Sequence, residues 1–187
     1  MIDENAFGLL LSYYHVEDDE YALEREQFAT RLQAFRDALN ECMEALPLGS
    51  GVRALDLGHA LYLEIAEGDE TEDPFAWLRM LRARLSAKDF VTVAVLSHGS
   101  RWVDAGGWRP AHIERVGEVS VCRASWPSEA LRRALYADAA ARQDEDCPGW
   151  GPGLYVDAEA IDAMGRKFRN APTPLRASCS TYYRFGT

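Results

Sequence analysis

No stretch of 18 or more apolar residues occurs in this chain, so no membrane-spanning helix is expected. The opening residues, MIDENAFGLLLSYYHV, start with acids where an export signal would carry bases, and their apolar run breaks at Ser12. No signal segment and a cytoplasmic location are therefore the expectation. Cysteine is sparse. Cys42, Cys122, Cys147 and Cys179 lie far apart without a CxxC pair. That spacing excludes a zinc ribbon and a disulfide framework and leaves buried thiols as the reading. His15, His59, His98 and His112 lack the spacing of metal ligands, so no metal and no cofactor is expected. A glycine-rich phosphate loop is missing too, since Gly49-Ser50-Gly51 is too short and follows a helix rather than a strand. Lysine is nearly absent: 18 of the 20 basic residues are arginine.

What is present describes a globular chain. The 187 residues, 48% apolar and 27% charged, fit a single domain over 1–187. Charge is lopsided. Residues 1–90 hold 19 acids against 8 bases, whereas residues 91–187 hold 11 acids and 12 bases, within a net charge of −10. After Asp162 no acid occurs, only Arg166, Lys167, Arg169, Arg176 and Arg184. Duplex nucleic acid is not an expected partner, because phosphate binding needs a concentrated positive face. A basic protein partner is, because opposite fields speed encounter. Plain solubility is the competing explanation of the charge.

Hydrophobic patterning predicts a class between α/β and α+β: a mixed sheet of about five to six strands, partly parallel and partly antiparallel, flanked by helices. Within DFVTVAVLSHGSRWV, the apolar run from Phe90 to Leu96 reads as a strand buried on both faces at the sheet centre. Ahead of it, Phe7–Tyr14 reads as a strand. Glu20–Leu46 reads as a long helix with Phe28, Leu32, Phe35, Leu39, Cys42 and Leu46 on one stripe. Leu48–Gly58 reads as a connection. His59–Ala66 reads as a strand with Tyr62 and Glu64 on its less buried face. Asp73 is placed to cap a helix that Pro74 opens and that runs to Leu85.

Beyond the central strand, Val116–Arg123 reads as a strand and Pro127 opens a helix to Ala141. The segment 143–153, QDEDCPGWGPG, has the composition of an exposed loop. Leu154–Val156 is a short strand, and Asp157 caps a short helix ended by Gly165. Leu175–Phe185 alternates as one last strand with Tyr182 outward. The β-α-β-α-β order at the start suits parallel βαβ units.

Ser97, His98 and Ser100 sit where the central strand leaves the core, a common place for chemistry. An imidazole there can take the proton of a thiol at the end of the next strand, Cys122. Backbone N–H groups near Gly99 can serve as an oxyanion hole. In this the chain resembles the caspase-like cysteine peptidases, which share a β-α-β-α-β lead-in, a His-Gly after one hydrophobic strand and a Cys at the end of the next. The likeness covers residues 7–122 in topology, and Ser97-His98-Gly99 with Cys122 in residues. It implies a hydrolase with His98 as base and Cys122 as nucleophile; Ser97 and Ser100 are the alternative nucleophiles.

Other features favour binding. Glu17, Asp18, Asp19 and Glu20 form one acid cluster, and Asp69, Glu70, Glu72 and Asp73 a second. The second lacks the spaced pattern of a calcium loop. Trp102, Trp108 and Trp150 lie in segments poor in regular structure, where tryptophan can anchor an interface or a ligand and can equally plug the loop onto the core. The leading expectation is a non-catalytic, acidic protein-binding module of immunity or antitoxin type. The rivals are the His98 hydrolase and a small-molecule pocket over the strand ends.

Overall fold

FGLLLSYY is apolar at odd and even positions alike, and the strand it belongs to, β1 (Glu4–Tyr13), is buried on both faces. The same holds for β4 (Thr92–Arg101), whose Val93 to Leu96 are fully buried. Two such strands need cover above and below, and the chain supplies it with helices. The computed structural model describes residues 4–14, 24–46, 52–68, 73–101, 112–116, 119–123, 128–143, 148–166 and 172–186. Its other elements are α1 (Glu24–Glu44), β2 (Arg53–Asp56), β3 (Ala60–Ala66), α2 (Pro74–Ser86), β5 (His112–Val116) and β6 (Val119–Arg123). They are followed by α3 (Glu129–Arg142), β7 (Gly153–Asp157), α4 (Ala158–Ala163), β8 (Pro174–Ala177) and β9 (Ser180–Phe185).

The mixed class and the helical cover are as the sequence predicts, with one more strand in the main sheet. Seven strands run in the order β2-β3-β1-β4-β7-β9-β8, which puts β4 at the centre. A separate two-stranded sheet pairs β5 with β6. The expected parallel lead-in is not there. β1 pairs antiparallel with both β3 and β4, and β2 pairs antiparallel with β3. This is a split β-α-β-β-α-β unit of ferredoxin-like topology. The short strand β2, hidden in what reads as a connection, turns two parallel crossovers into a hairpin and a split pair. Among the described residues only β4 and β7 pair in parallel.

Helices α1, α2 and α4 cover one face, packing on Phe7, Leu9, Leu11, Leu63, Ile65, Ala94, Leu96, Leu154 and Val156. The predicted stripe of α1 points there: Phe35, Leu39, Cys42 and Leu46 are buried, with Phe28 and Leu32 partly so. Asp73 caps α2 as expected, accepting from the Phe75 N–H at 3.1 Å. The other face packs Leu10, Tyr62, Val93, Val95, Tyr155 and Tyr182 against α3. Tyr62 and Glu64, expected on a less buried face, are therefore buried.

One further expectation changes. Leu175–Phe185 is not one strand but a hairpin, broken at Ser178, whose φ is +55°, and Cys179. The turn resets the alternation, so Tyr182 is fully buried and Cys179 exposed. In the segment 143–153, where it is described, Pro148 and Gly149 are exposed and the chain then turns inward. Trp150 is 5% exposed and stacks on Tyr155 at 4.8 Å. Among the described residues no helix is long and apolar enough to cross a membrane.

Gly8 shows how tightly the α3 face is filled. A Cβ there would meet the Tyr62 hydroxyl at 2.7 Å and Ser97 Oγ at 2.8 Å. Both atoms are tied down, Tyr62 to Ser128 and Ser97 to backbone carbonyls. Gly8→Ala is expected to destabilise the fold by about 1–3 kcal/mol through overpacking. Urea denaturation checks this, and an unchanged midpoint would contradict it.

Candidate functional site

Helix α3, EALRRALYADAAAR, presents an alanine-rich face to the sheet. Ala130, Leu131, Ala134, Ala137 and Ala141 are buried there, and Asp138 lies among them. Small side chains let the helix approach closely, so a carboxylate in that face must find donors. It does so at the C-terminal end of the helix. The Ser12 hydroxyl on β1 donates to Asp138 Oδ1. Arg142, one turn on, donates from Nε to Oδ2 at 3.0 Å and from Nη2 to Oδ1 at 3.3 Å. Its Nη2 also reaches Ser12 Oγ at 3.0 Å and the Tyr13 carbonyl at 2.8 Å. His59, at the start of β3, places Nε2 3.9 Å from the same Oδ2.

Burial pushes the Asp138 carboxyl upward, but His59, Arg142 and Ser12 outweigh it and hold it below the usual carboxylate range. The hydroxyl and the imidazole both point at the carboxylate rather than at each other. This is not a nucleophile–base pair, which needs the two in mutual hydrogen-bond reach. The carboxylate instead fixes the inner edge of Arg142 and lies within ion-pair distance of His59. The His59 side chain is 44% exposed and that of Arg142 30% exposed. The Tyr14 ring lies 5.9 Å under the Arg142 guanidinium.

A second constellation lies at the opposite end of β4. Asp157, fully buried, closes β7 and caps α4, accepting from the N–H groups of Glu159 and Ala160 at 2.6 and 3.2 Å. It also accepts the His98 backbone N–H at 3.3 Å and lies 3.6 Å from Arg133 Nη1. Burial pushes the Asp157 carboxyl up, against Arg133 and these N–H donors. Arg133 further pairs with Glu129 at 2.9 Å and Glu159 at 3.6 Å. The His98 ring packs on Phe7 at 5.0 Å and places Nε2 3.3 Å from Glu67 Oε2. An open cleft of about 370 Å³, lined by Glu4, Asn5, Ala66 and Glu67, adjoins it.

The structure does not give the strand adjacency expected of the hydrolase set. Cys122 lies on β6, opposite Ile113 of β5 in the separate sheet, while the neighbours of β4 are β1 and β7. The strand after His98 in sequence is therefore not the strand beside it, and the caspase-like pairing fails on topology. Ser97 and His98 are successive on a strand and point to opposite faces. Ser97 Oγ donates to the Ala130 carbonyl at 2.7 Å and the Gly8 carbonyl at 3.2 Å, deep in the α3 face. Ser100 lies further along β4 and is partly exposed.

Of the residues expected to bind a partner, Glu17, Asp18, Asp19, Glu20, Asp69, Glu70, Glu72, Trp102 and Trp108 lie outside the described residues. Asp73 is engaged as the α2 cap and in an ion pair with Arg166. Trp150 is core, not anchor. Sequence reasoning missed Ser12, Asp138, Arg142, Asp157 and Arg133. A signal existed for Asp138: it falls at helical spacing among buried alanines, with Arg142 four residues on.

No protein-family model matches the chain, and no curated protein matches it in sequence. Solved structures of similar fold include the guanylyl cyclase Cya2, at a TM-score of 0.49 and 6% identity over 98% of this chain and 93% of that one. The adenylyl cyclase CyaB from P. aeruginosa is similar at a TM-score of 0.47 and 5% identity, covering 100% of this chain and 96% of that one. With Trp150 buried and Asp73 engaged, the non-catalytic immunity-type reading is withdrawn.

The lowered Asp138 pKa has a stability consequence. Its folded value lies below the ordinary carboxylate value of about 3.9. Its contribution is therefore complete above that pH and is lost as pH falls through the folded value. Asp138→Asn is expected to cost about 1–3 kcal/mol at neutral pH and to flatten the acid limb of the stability curve. Urea denaturation at neutral pH and near pH 3 measures both; an acid limb as steep as in the wild type contradicts the assignment.

Proposed function

We propose that this chain is a cyclase-like domain that receives a phosphoryl-bearing ligand, with a nucleotide as the class to test first, at the centre formed by Ser12, His59, Asp138 and Arg142. One observation carries the reading: a single buried carboxylate oxygen, Asp138 Oδ2, accepts from Arg142 Nε at 3.0 Å and lies 3.9 Å from His59 Nε2, while both side chains stay open to solvent. Held that way, the two donors lose little conformational freedom when an anion arrives. A guanidinium fork beside an imidazole suits phosphoryl oxygens, which accept hydrogen bonds from both, charge-assisted from the arginine. The bonds Arg142 makes to Ser12 and to the Tyr13 carbonyl fix its plane. Tyr14, under the guanidinium, adds an aromatic surface at the rim. Among the described residues no three carboxylate, imidazole or thiol groups gather as a metal site would require. Support for the ligand class therefore rests on the two donors.

Calorimetric titration of the whole chain with ATP, GTP and inorganic phosphate tests the reading. Saturable binding is expected in the wild type, weakened roughly 10- to 100-fold in His59→Gln and in Arg142→Gln, as loss of one charge-assisted hydrogen bond implies. His59→Gln is the cleaner variant because the imidazole is half exposed, and circular dichroism shows whether each variant folds. Absence of saturable binding to all three ligands overturns the reading. So does equal affinity in a folded His59→Gln.

A further inference from the structure

His59 enters β3 from the Gly58 turn with its backbone held on both sides. Its N–H donates to the Leu57 carbonyl at 3.1 Å, and its carbonyl accepts the Tyr13 N–H at 2.9 Å. The ring is less committed. Nε2 stands 3.9 Å from Asp138 Oδ2, within ion-pair distance but beyond an ordinary hydrogen bond. Few charged or titratable groups surround it. From α3 come Asp138 and Arg142, and from the end of β1 the Ser12 hydroxyl and the Tyr14 ring. From β2 comes Asp56, which is turned to the Gly58 N–H at 2.8 Å and to Arg36 of α1.

Asp138 and Arg142 cancel each other. The donors around the carboxyl hold it ionised, and a guanidinium keeps its charge. With a neutral imidazole the centre therefore carries no net charge. Among the described residues, Arg142 spends Nε and Nη2 on Asp138, Ser12 and the Tyr13 carbonyl, which leaves Nη1 for an incoming anion. A phosphoryl group arriving there brings its charge up to a buried carboxylate that cannot move away. A proton relieves the repulsion. Asp138 cannot take it without giving up its bonds from Arg142 and Ser12. His59 can, because its side chain is 44% exposed and imidazole titrates near neutrality. A second negative charge nearby favours the imidazolium further. On the reading of this centre as a phosphoryl site, we propose that His59 takes up a proton as the ligand binds, so that ligand and proton enter together and affinity falls as pH rises.

Linkage fixes the sign. A bound state that prefers imidazolium raises the His59 midpoint. Affinity is then highest below the free midpoint, falls by up to about tenfold per pH unit between the free and bound midpoints, and levels off above. The ring carbon–proton resonances of the four histidines read this directly, with His59 identified by its loss in His59→Gln. They are followed between about pH 5 and 9, without ligand and in saturating ATP, GTP or inorganic phosphate. In the ligand that binds, the His59 midpoint is expected to rise by about one unit or more. Calorimetry over the same range gives the ratio of wild-type to His59→Gln affinity, in which the titration of the ligand itself cancels. That ratio is expected to be about tenfold larger at the acid end than at the alkaline end. A ligand that binds while the His59 midpoint stays put overturns the coupling and leaves the phosphoryl reading standing, as does a ratio that ignores pH. Absence of saturable binding to all three ligands overturns both.

Discussion

Ten consecutive residue pairs, from Glu4–Arg101 to Tyr13–Thr92, tie β1 to β4, and the rest of the molecule is arranged around that pairing. Both strands are apolar on both faces, so neither can lie at a solvated surface. β3 and β7 extend the pair sideways, and four helices cover it above and below. The two edges of the sheet are left to β2 and β8, each of four residues, too short to template further pairing. The register of this pair also places chemistry. Ser12 stands opposite Val93 on the α3 face, and His98 stands opposite Phe7 on the other face at the far end.

Helix α3 translates that register into ionic contacts. Its alanine face lets it lie close to β1 and β4, and its charged residues fall at its two ends. Arg133, paired with Glu129, meets Asp157 and Glu159 at one end, and Asp138 meets Ser12, Arg142 and His59 at the other. A carboxylate within an apolar face can settle only where donors reach it, so Asp138 pins the helix lengthwise on the sheet. The same bonds hold Arg142 and His59 side by side, which is the feature of the molecule best suited to an anion. The stability of the fold and the proposed ligand site thus share one buried charge.

Much of the fold was legible in residues. The unbroken apolar run at Phe90–Leu96 marks the central strand, the stripe from Phe35 to Leu46 marks the buried side of α1, and Asp73-Pro74 and Asp157 mark helix starts. Three features escaped. β2 is four residues of half-exposed chain, below the length at which alternation can be recognised. The turn at Ser178–Cys179 has no glycine to announce it, so two short strands look like one. Tyr62 and Glu64 look like a solvated face because their cover, α3, comes more than sixty residues later. The site was less legible still. His98 was conspicuous because a histidine at the end of a buried strand is conspicuous, yet its partners are Glu67 and Asp157, not Cys122.

The sequence by itself determined the local elements, the depth of the core and the uneven spread of charge, because periodicity and capping act over a few neighbouring residues. Only the tertiary structure decided which strands lie together and which polar groups share a site. Antiparallel pairing of β1 with both β3 and β4, and the crossing of α3, join Ser12 to Asp138 across 126 positions. No local pattern encodes such a contact. It follows from the need to bury two double-faced strands and to give one carboxylate in an alanine face the donors that burial demands.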